Sequence, residues 1–315
     1  MTSTKATAIA LIGLLLSTSM LYIAKGYTSS NQLITATANV LTAIYAYFAN
    51  NQTNYYIGTA NPNAINSNFN TNSIITIQDR GGNVAGNIII YGGNWINQAN
   101  NALQFGVSNT IYDSNKVLSS TPTDTGVIVP APTIQSYIKS NTITISSVSV
   151  PPGYPAGNYT QQITFYLKNY TYGTTSNQIT ANVIMYVNGV CYLYIYPNTI
   201  SFNSLAPGHY TPVNSLVSLY DNGGNTQAQI FISGGNWINQ ANNALQFGVS
   251  NTTYNSIVSS YGTPLTSTPT PTGITLAAPS PTNPSTSNSI YFGLHIPYGT
   301  YPGYYKQQIY LYTSC

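Results

Sequence analysis

Residues 92–110 read GGNWINQANNALQFGVSNT, and residues 234–252 repeat those nineteen letters without a change. Looser matches flank the block. Asp79-Arg80-Gly81-Gly82-Asn83 answers Asp221-Asn222-Gly223-Gly224-Asn225, and Gly157-Asn158-Tyr159-Thr160-Gln161-Gln162-Ile163 answers Gly303-Tyr304-Tyr305-Lys306-Gln307-Gln308-Ile309. The offset is 142 residues for the block and 146 for the last match. That is the size of a domain, not of a solenoid repeat. The chain therefore reads as a tandem of two similar domains.

Each repeat has the texture of β-structure. Runs rich in Ile, Val, Tyr and Thr recur, among them Ile74-Ile75-Thr76-Ile77, Ile163-Thr164-Phe165-Tyr166-Leu167 and Ile309-Tyr310-Leu311-Tyr312. Such side chains suit a pleated, half-buried surface, and Gly, Pro and Asn punctuate them at hairpin spacing. Seven or so short strands in about 140 residues predict an all-β chain of two tandem immunoglobulin-like β-sandwich domains. A helical turn is expected over 97–103 and again over 239–245. The Pro- and Thr-rich stretches 119–132 and 262–289 are expected to be surface loops, since proline donates no ladder hydrogen bond. The expected divisions are a signal segment over 1–26, a tail or donor strand over 27–48, and sandwiches over 49–176 and 177–315.

Only 3% of the residues are charged, Glu is absent, and Asn, Thr, Ser and 29 Tyr supply the polarity. The hydrophobic fraction, 43%, suffices for two cores, which excludes a disordered polymer. So few titratable groups predict a stability that varies little with pH. The net charge of +3 includes Lys5 and Lys25 in the leader, leaving no electrostatic footprint for nucleic acid or an anionic membrane.

The amino terminus reads as a secretory signal: Lys5, an apolar run from Ala8 to Leu16, and small residues around Ala24-Lys25-Gly26. A retained anchor or a type IV pilin leader cut after Lys5 are the alternatives, and all three place the bulk of the chain outside. Four N-glycosylation sequons begin at Asn51, Asn158, Asn169 and Asn251, so covalent glycans are expected partners. The two cysteines, Cys191 and Cys315, lie in the second repeat and are expected to bridge in an oxidising compartment.

Catalytic chemistry is nearly missing. The inventory is His209, His295, Asp79, Asp113, Asp124, Asp221 and the cysteine pair. Asp79 and Asp221 sit in matching tight turns, where Asp caps its own backbone. No nucleophile elbow, metal-ligand cluster or phosphate loop is visible, so no enzyme, cofactor or metal is expected. Trp95 and Trp237 are each expected to plug a core, with sugar stacking as the alternative.

The repeats differ in one respect. The strand Asn177-Gln178-Ile179-Thr180-Ala181-Asn182-Val183 follows the first repeat's last recognisable strand, whereas the second repeat runs straight into Cys315. A related segment stands at the front, Asn31-Gln32-Leu33-Ile34-Thr35-Ala36-Thr37-Ala38-Asn39-Val40. A sheet lacking an edge strand can be completed by β-augmentation. The expectation is that residues 31–48 complete the second sandwich of a neighbour through Leu33, Ile34, Ala36, Ala38, Val40, Leu41 and Ile44. Such a joint builds a head-to-tail homopolymer instead of a closed dimer. The alternative is a two-domain monomer in which each leading strand belongs to its own sandwich.

In its signal, extended tail, β-sandwich heads, sequons and near-absence of charge, the whole chain resembles the thread-type surface filament subunits of Sulfolobales archaea. That resemblance implies glycosylated extracellular subunits joined by donor-strand complementation, akin in architecture to chaperone–usher pili, for adhesion or biofilm on other cells or surfaces. The identity of 92–110 with 234–252 maps onto no feature of that family. A glycan-binding adhesin and a type IV pilin-like protein are the competing classes.

Overall fold

The computed structural model describes residues 36–315, and Leu33 and Ile34 of the expected donor segment lie outside them. Two compact units divide the chain at Leu41/Thr42, and all strands of the described residues belong to the second. In the N-terminal half one sheet runs β1 (Tyr47–Phe48), β4 (Ile74–Arg80), β10 (Ile138–Val150), β7 (Thr110–Tyr112) and β8 (Lys116–Val117), with β3 (Ala64–Asn66) also on β10. Its companion runs β2 (Asn54–Ala60), β12 (Ile179–Val187), β11 (Gly157–Lys168), β5 (Gly86–Asn97) and β6 (Gln104–Phe105), with β9 (Thr123–Val129) beside the start of β5. Alternating residues of both sheets face one core, including Ile75, Ile77, Ile88, Ile90, Ile143, Ile163, Phe165 and Leu167, each fully covered.

The C-terminal half repeats this plan with fewer strands. β13 (Tyr194–Tyr196), β14 (Ser215–Asn222), β21 (Ser285–Leu294), β18 (Thr252–Asn255) and β19 (Thr263–Pro264) form one sheet. Opposite lie β20 (Thr270–Leu276), β15 (Ala228–Gly234) and β23 (Ile309–Ser314), then a small sheet of β17 (Gln246–Phe247), β16 (Trp237–Asn239) and β22 (Tyr305–Lys306). Its own core gathers around Val217, Leu219, Ile230, Ile232, Ile290 and Phe292. The fold is all-β, as the alternating runs predict.

Several expectations are corrected. Residues 97–103 form no helix: the Asn97 side chain accepts from the N–H groups of Ala99 (2.9 Å) and Asn100 (3.0 Å), and Asn239 does the same. A local Asx bond outcompetes the helical one. The proline-rich stretches contain strands, β9 and β20, both on sheet edges. Edges tolerate proline, and threonine hydroxyls supply donors there: Thr125 Oγ1 donates to the Ile88 carbonyl at 2.8 Å and Thr272 Oγ1 to that of Ile230 at 2.9 Å. The boundary at 176/177 moves too, because β12 pairs within the sheet of the N-terminal half. Ile44, expected in the donor segment, is instead 5% exposed inside the first core, with Ala46 and Phe48.

The expectation of a flat pH profile also changes. Asp79 and Asp221 are buried, and each caps its turn through Oδ1, accepting from Gly82 N–H (3.1 Å) or Gly224 N–H (2.9 Å). Their Oδ2 atoms have no hydrogen-bond partner. Burial pushes both carboxyls up from the ordinary value, against the pull of the backbone donors. A raised folded pKa favours the protonated, folded state; that stability is complete below the unfolded value near 4 and fades as pH rises through the folded one. For the exposed Asp124 partial burial is outweighed by donors from Gly126, Tyr170 and Asn87, and its opposite effect is screened by solvent. The denaturant midpoint is therefore expected to be higher at pH 3 than at pH 7, and the Asp79→Asn/Asp221→Asn double variant to lose that slope. A parent midpoint that falls on acidification contradicts the assignment.

Candidate strand-acceptor site

β12 lies inside its sheet, between β2 and β11. It pairs antiparallel with β11 from Phe165↔Ile179 to Gly157↔Val187, and parallel with β2 on its other side. Every second side chain, Ala181, Val183, Met185 and Val187, is buried in the first core. Among the described residues β2 has β12 as its only strand partner.

Among the described residues the C-terminal half has a counterpart of neither strand. Among the described residues β23, the counterpart of β11, pairs with β15 alone, and no described strand lies on its other edge. Residues 201–207, which by position answer β2, form no strand. The consequence is legible in side chains of identical sequence context. Trp95 is fully buried and Phe105 is 3% exposed, whereas Trp237 and Phe247 are half-buried. Ile163 and Phe165 are fully covered, but their counterparts Ile309 and Leu311 are only partly so. Both indoles keep the same local bonds, Trp95 Nε1 to Thr110 Oγ1 (2.8 Å) and Trp237 Nε1 to Thr252 Oγ1 (2.9 Å), and both stack on the following Phe. The difference is what covers them. A cavity of about 630 Å³ opens beside Trp237, lined by Ile200, Phe202, Leu205, Phe247, Ile296 and Tyr305 among others.

The disulfide lies at one end of the open edge. Cys191 and Cys315 are bonded with Cα atoms 6.2 Å apart, linking the segment before β13 to the end of β23. Of the sequon asparagines, Asn51 and Asn158 are exposed, whereas Asn169 donates its amide to the Ala85 carbonyl (2.6 Å) and Asn251 to that of Gly248 (3.0 Å). Ala36, Ala38, Val40 and Leu41 are exposed and outside any strand. Among the described residues no helix is long and apolar enough to cross a membrane. The half-exposed Trp237 was not readable in the sequence, where its context is identical to that of Trp95.

No protein-family model and no curated protein matches the chain. Similar solved structures include a chaperone–tip adhesion subunit pre-assembly complex of the archaic chaperone–usher Csu pili of Acinetobacter baumannii, at 11% identity and TM-score 0.41, over 86% of this chain and all of that one. A chaperone–tip adhesin complex of CFA/I fimbriae biogenesis gives 9% and 0.32, over 84% of this chain and 96% of that one. A tip adhesin from Pseudomonas aeruginosa gives 9% and 0.24, over 76% and 84%. At such values the function has to be argued from this chain's own geometry.

Proposed function

We propose that this chain is the structural subunit of an extracellular, sugar-bearing filament of the archaeal thread type, polymerising head to tail by strand donation. Residues 31–40 of one copy complete the open sheet of another copy's C-terminal half. The observation that carries this reading is β12, an internal example of the same joint. β12 leads directly into the second half, yet it completes the sheet of the first.

Hydrogen bonds set the register of the donated strand. Ala43 exchanges bonds with Asn83 (N–H to Oδ1 2.8 Å, carbonyl from N–H 2.9 Å), as Val190 does with Asn225 at the same two distances. Position 43 therefore corresponds to 190, and Ile34, Ala36, Ala38 and Val40 fall where β12 has Ala181, Val183, Met185 and Val187. By the pairing of β12 with β11, Val40 lies opposite Gly303, Ala38 opposite Tyr305, Ala36 opposite Gln307 and Ile34 opposite Ile309. Each ladder bond contributes about 1 kcal/mol net, and apolar burial adds to it. Sugar is expected first on Asn51 and Asn158, whose amides face solvent. Exposed tyrosines such as Tyr170, Tyr172 and Tyr261 suit contact with other cells or surfaces.

Deleting residues 27–40 is expected to abolish filaments in negative-stain images while leaving a folded subunit. Adding a peptide of residues 31–41 to that variant should blue-shift Trp237 fluorescence as the groove closes. Undiminished filaments from the deleted chain would refute strand donation.

A further inference from the structure

The filament reading leaves open how successive copies seat against one another, and the chain contains a worked case. Where its own halves meet, Gly153 of the first is buried, and a Cβ placed on it would fall 2.3 Å from the carbonyl carbon of Ser280 in the second. Gly153 N–H donates to the Gly224 carbonyl (3.1 Å), and Asn225 Nδ2 donates to the Tyr154 carbonyl (2.8 Å). Gly223 packs on Asn63, and Pro279, next to Ser280, is buried.

Gly153, Ser280 and Gly223 have twins at the outer ends of the chain, and those three twins are exposed. Gly299, the counterpart of Gly153 with the same left-handed backbone (φ +79° against +76°), is exposed and a Cβ there would meet nothing within 4 Å. Thr133 and Ile134, the counterparts of Ser280 and Pro281, are exposed, and Ile134 is 105% so. The same hydrogen-bonded loop holds both sites, Thr133 with Ser136 and Ser280 with Asn283. Gly81, the twin of the buried Gly223, is exposed. One outer end thus carries the acceptor half of the joint and the other end carries the donor half. A fully exposed isoleucine beside open glycine surface is what an interface lacking its second copy looks like.

We propose that the joint between subunits repeats the joint within the chain, with loop Thr133–Ser136 of the strand-donating copy seated on Gly299 of the accepting copy. The partner is a second copy of this chain, and the inference rests on the filament reading above. Every half along the filament then meets the next through one geometry, so the structural repeat is half a subunit.

The test uses full-length chain and Gly299→Asn. Asn tolerates the left-handed backbone, and its Cβ meets open space in the free subunit, so the melting temperature should not move. In the polymer that Cβ would collide with the Thr133 backbone of the neighbour, raising the critical concentration for assembly at least tenfold. Gly273→Asn is the control, with φ +75°, exposure and open space alike but outside the joint, and it should assemble as the parent does. Ile134→Asp, at the other face, should weaken assembly by a similar factor without altering the fold. If Gly299→Asn and Ile134→Asp assemble like Gly273→Asn while the tail deletion abolishes filaments, the seating is wrong and strand donation stands. If the parent forms no filaments, both fall.

Discussion

Replacing Cys191 and Cys315 together by serine is expected to lower the unfolding free energy of the C-terminal half by about 5 kcal/mol, because the bond closes a loop of 124 residues' separation in the unfolded chain. Domains have only about 5–15 kcal/mol in total, so this half should unfold first and separately from the other. The second core is also the less covered of the two. The first core is closed by β12 and β2; the second leaves Ile309, Leu311, Phe202 and Trp237 partly wet. Denaturant unfolding of the double-serine variant, followed by Trp237 fluorescence in a Trp95→Phe background, measures the shift. A loss below about 1 kcal/mol would show that packing alone holds the half together.

The second large effect is a contrast between twin tryptophans. Trp95→Ala should cost about 3–5 kcal/mol, as truncation of a fully buried large side chain does. Trp237→Ala removes the same atoms from the same nineteen-residue context but from a half-open site, so in the free subunit it should cost less than half as much. If a donated strand covers the second indole, as proposed, the two costs should converge once filaments form or the tail peptide binds. Equal costs in the free subunit would mean that the groove closes without a donor.

Much of the fold was legible because it depends on local pattern. Alternating Ile, Val and Tyr gave strands, Asp79 and Asp221 gave turns, and two cysteines in one repeat gave one bond. What misled was a local cue overruled by its surroundings. Prolines near 122 and 269 suggested loops, yet β9 and β20 form because edge strands need fewer donors and threonine supplies one. Ile44 looked like tail but packs in the first core, since the chain turns inward at Ala43 once it bonds to Asn83.

By itself the sequence determined that this is a β-rich tandem in which a strand follows the first repeat and a related segment precedes it. Only the tertiary structure decided which sheet takes β12, where the groove opens, and how nineteen identical letters come to be sealed in one half and half-wet in the other. Pattern and turn chemistry are written in neighbouring residues, but burial depends on what lies across the sheet, and there the two copies have different company.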